Sequence, residues 1–201
     1  MKKIIIATKN SGKVKEFQAF FEKNGYEVLS LLDISGAPDI EETGSTFKEN
    51  ALLKAEGIAN VLNEIVIADD SGLSVDALDG EPGIFSARYA GIHKNDLDNI
   101  NKVLHELSGI QASKRTARFH CALALAVPSK STIVVEGICE GHITKEPMGT
   151  NGFGYDPIFI PKELYQTMAQ LSKEEKNKIS HRAHALKKLR EQINSSLVNL
   201  G

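Results

Sequence analysis

Residues 68–73, Ala-Asp-Asp-Ser-Gly-Leu, deliver Asp69, Asp70 and Ser71 from the end of an apolar run. Carboxylates emerging from a buried strand are costly unless something positive meets them. In α/β sheets the C-terminal edge of a strand is also where ligands bind. A metal ion would satisfy such a site, and one carboxylate could then polarise a water that the metal activates. The competing reading of Asp-Ser-Gly is a simple turn. A second acidic pair, Glu41–Glu42, lies in a loop. Adjacent loop carboxylates are mostly solvated surface, but their oxygens are also the ligands that Mg2+ prefers.

The cations are scattered. Residues 7–13, Ala-Thr-Lys-Asn-Ser-Gly-Lys, lead from a strand into a helix that carries Lys13 at its start. Backbone N–H groups at a helix N-terminus bind anions, and a lysine there adds a full charge. The stretch lacks the first glycine and the final Ser/Thr of a P-loop, so a plain β–α turn competes. Lys54, Arg88, Lys176 and Arg182 each read singly as surface charge. With Lys13 they could surround a polyphosphate.

Residues 180–185, Ser-His-Arg-Ala-His-Ala, place His181 and Arg182 in a first helical turn behind Ser180, a good N-cap. That is the unfavourable end of the helix dipole for cations. Their placement asks for an anionic or acceptor-rich partner, the alternative being indifferent surface. His184 faces elsewhere and reads as structural or exposed. Residues 150–159, Thr-Asn-Gly-Phe-Gly-Tyr-Asp-Pro-Ile-Phe, set Phe153 and Tyr155 about a single glycine, just before Asp-Pro. This is either a strand entering a core or a loop that clamps something flat.

The elements that must position these groups follow from periodicity. Residues 2–8 read as a buried strand, and 14–25 as a helix with Val14, Phe17, Phe20 and Phe21 on one face and Gly25 at its end. A strand at 26–31 and an acidic, Pro- and Gly-containing loop at 33–44 come next. A long helix over 45–63 opens with the capping-box pattern Thr46/Glu49. A strand at 64–69 runs into the Asp-Asp-Ser stretch. Residues 79–93 read as irregular, and Asp96–Leu107 as a helix stopped by Gly109.

Two long strands, 115–127 and 131–143, are joined by Pro-Ser-Lys-Ser, which implies an antiparallel pair. In the first strand Phe119, Cys121, Leu123, Leu125 and Val127 alternate with His120 and three alanines. One face is large and the other small, as expected if a helix sits close on the alanines. Pro157 is expected to start a short strand, and a last helix runs from Ser180 with a stripe at Ala183, Leu186, Leu189 and Ile193. The tail after Ile193 is expected to fray. The fold class is α/β with a mixed sheet.

Bulk properties exclude other classes. The chain has 201 residues, 41% apolar and 25% charged, as a globular domain has. Its net charge of −2 gives no general attraction to nucleic acid or anionic membrane. Cys121 and Cys139 make no disulfide framework and read as small core residues in a reducing compartment. The N-terminal apolar run is too short for a signal sequence or membrane span, so the cytoplasm is the expected location.

Taken together, the ordered stretches 7–13, 41–55, 68–73, 82–91, 152–159 and 174–182 resemble the inosine triphosphate pyrophosphatase family of house-cleaning nucleotide hydrolases. Any one stretch is weak; the ordered set is specific and covers about residues 2–193. The resemblance implies a single two-lobed domain over 1–201, built on an elongated mixed sheet with its site in a cleft. It implies a homodimer that hydrolyses ITP, dITP and XTP to the monophosphate and pyrophosphate with Mg2+.

By motif, the resemblance gives Thr8, Lys9, Asn10, Ser11, Gly12 and Lys13 to the phosphate-side loop. Glu41 and Asp70 would hold the metal, Asp70 would accept the proton, and Ser71 would touch substrate. Lys54, Arg88 and Lys176 would line the triphosphate path. Phe153, Gly154, Tyr155 and Asp156, with His181 and Arg182, would bind the base. Phe153 is the expected stacking ring and Asp156 the acceptor for a ring N–H. Tyr155 stays divided between core wedge and second wall.

Two other readings compete. A Maf-like pyrophosphatase acting on pyrimidines is opposed by the 152–157 and 180–182 stretches. A sensor that binds without hydrolysis has no need of the Glu41/Asp70 pair. Nucleic-acid binding is disfavoured by the charge and by the absence of a basic patch or RNA-binding motif.

Overall fold

Residues 2–195 are described in the computed structural model of this chain. The β-branched run at the start forms β1 (Lys2–Ile6), and Asn10 caps α1 (Ser11–Phe21). A 3-10 turn then reaches Gly25, whose φ of 80° closes the helix in the left-handed region as expected. β2 (Tyr26–Ser30), α2 (Phe47–Leu62) and β3 (Val66–Val75) follow. After α3 (Asp96–Glu106) come β4 (Thr116–Ala126), β5 (Ile133–Ile143) and the short β6 (Phe159–Pro161). The chain continues through α4 (Lys173–Ile179) and α5 (His181–Ser195).

The six strands form one sheet in the order β2-β1-β3-β4-β5-β6. β1 is parallel to β2 and to β3, and β6 is antiparallel to β5, so the sheet is mixed as expected. Residues 127–132 join the neighbouring strands β4 and β5, too short a link for a parallel crossover.

The residues gather into two compact units. One comprises the chain up to Asp70, Cys121–Gly137 and the part from Ala185; the other comprises Ser71–His120 and Ile138–His184. The first has two cores. On one, Phe17 and Phe21 of α1 meet Ile4 and Ile6, Cys121, Leu123 and Leu125, and Leu186 and Leu189 of α5. On the other, Ala51, Ala55 and Ala59 of α2 lie on Ala122, Ala124 and Ala126 of β4. This is the close helix contact that the small face of β4 foretold. The second unit has its own core, in which Leu73, Val103, Phe119, Ile158 and Phe159 are buried. Cys121 and Cys139 are buried thiols outside any disulfide, one in each unit.

Four local features sharpen or change. The competing turn at Asp70, Ser71 and Gly72 does not form, and β3 runs past its expected end at Asp69 to Val75. The irregular stretch 79–93 contains a 3-10 helix at Gly83–Arg88. Pro157 sits in a 3-10 turn, Asp156–Ile158, and β6 starts only at Phe159, since Pro157 has no N–H for a ladder. The Thr46/Glu49 box is half formed. Thr46 Oγ1 accepts from the Glu49 N–H at 3.1 Å, but the Glu49 carboxylate accepts from Ser45, at 2.7 Å from its N–H and 2.8 Å from its hydroxyl.

Of the tail expected to fray after Ile193, residues 196–201 lie outside the described residues. No helix among the described residues is long and apolar enough to cross a membrane.

Candidate active site

Strand β3 delivers Asp69 and Asp70 at the edge of the first unit, 1% and 6% exposed. Helices α1 and α2 bring the cations. Lys13, in the first turn of α1, reaches Asp69 Oδ2 at 3.0 Å. Lys54 of α2 lies 3.9 Å from Asp70 Oδ1 and donates to the Asp69 carbonyl at 2.7 Å and to Glu42 Oε1 at 2.5 Å. Asn50, one helical turn before Lys54 and 1% exposed, donates from Nδ2 to Asp70 Oδ2 at 3.0 Å.

Burial pushes the Asp70 carboxyl above the usual range. Lys54, Lys13 and the Asn50 amide pull it back, while Glu42 adds to the rise. Lys54 moves the other way from what burial alone would do: Asp69, Asp70 and Glu42 together hold its ammonium pKa up. Among the described residues, Asp69, Asp70 and Glu42 therefore gather about Lys13 and Lys54.

The loop expected to cradle phosphate uses part of its own donor set. Asn10 Oδ1 accepts from the Gly12 N–H at 2.9 Å and the Lys13 N–H at 3.1 Å, and Thr8 Oγ1 accepts from the Asn10 N–H at 3.1 Å. Two of the N–H groups at the start of α1 are thus engaged by the N-cap. Lys9 makes an exposed pair with Asp39, and Ser11 is exposed. Of the acidic pair, Glu42 is the member in contact with Lys54, and Glu41 is exposed. Among the described residues no group of three or more His, Cys, Asp or Glu is arranged to hold a metal.

The second unit carries the aromatic and base-side residues. Phe153 has the Lys176 Nζ over its ring at 4.5 Å and the Arg182 guanidinium at 5.9 Å. Lys176, expected along the triphosphate path, is buried here and paired with Asp156 at 2.5 Å. Asp156 Oδ2 also accepts the Phe153 N–H at 2.9 Å. Asp156, expected to take a ring N–H, thus uses Oδ2 within the loop and towards Lys176.

Arg182 is 1% exposed and donates to Ser71 Oγ at 2.9 Å. His181 lies stacked on Phe119, ring centroids 4.8 Å apart and planes 17° from parallel. His184 is exposed with Nδ1 2.8 Å from the Ile138 carbonyl, a structural tie. Arg88 lies over Phe85 at 5.2 Å, also in this unit.

The Phe153 loop is pinned rather than loose. Gly154 donates its N–H to Asp96 at 2.7 Å, and the Thr150 and Asn151 N–H groups both go to the Ala169 carbonyl. Gly152 has φ 78°, and a Cβ there would overlap the Asp156 carboxylate. Glycine is required for that close approach, not for mobility. Tyr155 is a core residue, 5% exposed, with its hydroxyl donating to the Ser86 carbonyl at 2.7 Å. Of the two places left open for it, this burial supports the core wedge.

Sequence reasoning missed Asn50, the pairing of Glu42 with Lys54 and the stacking of Phe119 on His181. Asn50 carried a signal: a polar residue on the face of α2 that also presents Ala51, Ala55 and Ala59. Phe119 was read as core, which it is, but its ring also carries His181.

The Ham1 family model matches residues 4–192. The dITP/XTP pyrophosphatase of Bacillus licheniformis is 64% identical over 189 residues, 94% of this chain and 96% of that protein. That of Geobacillus kaustophilus is 62% identical over 192 residues, 96% and 94% of the two chains. The structure of the Staphylococcus aureus Ham1 protein is similar at a TM-score of 0.86 and 48% identity, covering 97% of this chain and 100% of that one.

Proposed function

The chain belongs to the Ham1 family, and from that premise we propose that it hydrolyses noncanonical purine nucleoside triphosphates to the monophosphate and pyrophosphate. The observation that carries the reaction type is the setting of Asp70: a buried carboxylate on a strand, faced by lysines, with its pKa raised by burial. The nucleotides follow from the relatives' names and are dITP and XTP, with ITP alongside them.

Carboxylates such as Asp69, Asp70 and Glu42 would repel a triphosphate, and a bound cation would relieve that repulsion. The donors are hard oxygens, and Mg2+ takes one or two carboxylates together with substrate phosphates, so a three-residue cage is not needed. We assign Asp70 and Glu41 to hold it, Glu41 being exposed while Glu42 is held by Lys54. When bound, magnesium neutralises phosphate charge and lowers the pKa of a coordinated water.

The remaining work falls to the chain. Asp70 accepts a proton from the water that attacks the α-phosphorus. Lys13 and Lys54, with the loop from Thr8 to Gly12, take the phosphates. Their contribution is positioning and charge stabilisation of the departing pyrophosphate.

Phe153 and Gly154 present the ring and backbone of the base site, and Ser71 and Arg88 contact substrate. Asp156 and Lys176 hold Phe153 in place. His181 and Arg182 offer donors to a 6-oxo group. Adenine would set its 6-amino donor against them, and leaving a buried polar group unpaired costs about 1–3 kcal/mol. We read residues 1–201 as one catalytic domain, as the family resemblance implies. The family resemblance further supports a homodimer in the cytoplasm.

The test is pyrophosphate release from ITP, dITP, XTP, GTP, ATP and the pyrimidine triphosphates, with and without Mg2+. Release from the first three only, and only with metal, is expected. Equal rates for ATP and ITP would defeat the account of base choice. No release from any nucleotide would favour a sensor.

A further inference from the structure

We infer that Asn50 is a positioning residue, which locks the Asp70 carboxylate and the acidic loop into one rigid arrangement. The inference rests on the role proposed for Asp70.

Asn50 is 1% exposed on α2, and both ends of its carboxamide are used. Nδ2 donates to Asp70 Oδ2 at 3.0 Å, and Oδ1 accepts from the Gly44 N–H at 2.8 Å. An ionised carboxylate only accepts and a backbone N–H only donates, so the residue between them must donate at one end and accept at the other. A primary amide does this in one orientation. Aspartate at this position would set an acceptor against Asp70, and leucine would satisfy neither neighbour. Glutamine has the chemistry, but its extra methylene moves the amide from where both partners stand.

Gly44 is shaped for the same contact. A Cβ added there would stand 2.7 Å from Asn50 Oδ1 and 2.6 Å from Glu49 Cβ, closer than such atoms approach. Only glycine lets the loop backbone come down onto the amide. Glu41 and Glu42 lie just before Gly44 in the chain. The amide therefore fixes the end of the segment that presents both glutamates, and it does so from the same side chain that orients Asp70. With Oδ2 held by Asn50, the other oxygen of Asp70 is the one towards Lys54, at 3.9 Å. The carboxylate cannot rotate without breaking the Asn50 bond.

The test uses the full-length protein with Asn50→Asp, Asn50→Leu and Gly44→Ala. The readouts are kcat and KM for ITP, the Mg2+ concentration giving half-maximal rate, and calorimetric binding of Mn2+ to the nucleotide-free protein. In Asn50→Asp and Asn50→Leu, kcat falls about 10–100-fold and metal affinity weakens by a similar factor, as for other residues that orient ligands. KM for ITP stays within about threefold, since the base contacts are untouched. Gly44→Ala moves kcat and metal affinity in the same direction by less.

A general loss of folded protein would leave the metal requirement of the active fraction unchanged, which separates positioning from a purely structural role. Folded Asn50→Asp with wild-type kcat and metal affinity overturns the inference, as does a rise in KM at constant kcat. If both Asn50 variants fail to fold, Gly44→Ala decides: wild-type kcat and metal affinity in that variant also overturn it. A wild-type protein inert towards ITP overturns the functional reading itself, whereas an active wild type with unimpaired variants overturns only the role of Asn50.

Discussion

Two buried acid–lysine clusters occupy the two units, and they differ in how the acid is held. In the first unit Asp69, Asp70 and Glu42 share Lys13 and Lys54. In the second, Asp156 is met by Lys176 at 2.5 Å, and Lys176 and Arg182 both lie at the Phe153 ring. The first is set among the lysines that the proposed function gives to phosphate, and the second beside the ring that it gives to the base. The first also keeps a carboxylate with a raised pKa, which is useful for moving a proton. The second spends its carboxylate on holding a loop. Burial by itself therefore does not mark a catalytic acid; what the acid is paired with does.

The largest effect should separate the two aspartates. Asp70→Asn is expected to cut kcat for ITP by about 10²–10⁴-fold, the range of general-base catalysis, while the nucleotide still binds. Asp156→Asn should act through loop stability and KM instead. An equal loss of kcat in a folded Asp156→Asn protein would break the distinction. Next, Lys176→Met leaves Asp156 buried without its lysine, and denaturant unfolding should show a loss of about 3–5 kcal/mol. A loss no larger than that of an exposed pair would mean that the second cluster is not closed.

The two aromatics sharpen the contrast within the second unit. Phe153→Ala should raise KM for ITP about 5- to 150-fold, equivalent to roughly 1–3 kcal/mol of stacking. Tyr155→Phe should leave KM alone and lower stability by about 1–3 kcal/mol, because the Ser86 carbonyl loses its donor. Steady-state kinetics and thermal melts on both variants would reveal any exchange of these roles.

The smallest effect is at α4, which carries Lys176. The Ser172 N–H and hydroxyl hold the Glu175 carboxyl below its ordinary range. A depressed folded pKa contributes stability above the ordinary glutamate value and loses it as pH falls through the folded one. Glu175→Ala should therefore lower Tm by at most a few degrees near neutral pH, and the difference from wild type should vanish in acid.

Local patterns carried much of the fold. The isoleucine run of β1, the Phe face of α1 closed by Gly25, and the large/small alternation of β4 each depend on residues near in sequence. Periodicity makes such features legible from neighbouring residues alone. The family signature likewise lay in ordered short stretches, which is why the Ham1 assignment agrees with the resemblance first seen in the sequence.

Pairing was not legible in the same way. Tyr155 and Phe153 are two residues apart and alike in chemistry, yet one is wedged beneath Ser86 and the other lies under two cations. Glu41 and Glu42 are adjacent and identical, and only one reaches Lys54. Lys176 could have met phosphate or a carboxylate, and the fold gave it Asp156. The sequence determined which chemistries this protein contains and which elements carry them, because composition and period are local. The tertiary structure decided which acid meets which base, because that depends on distances of a few ångströms between residues far apart in the chain.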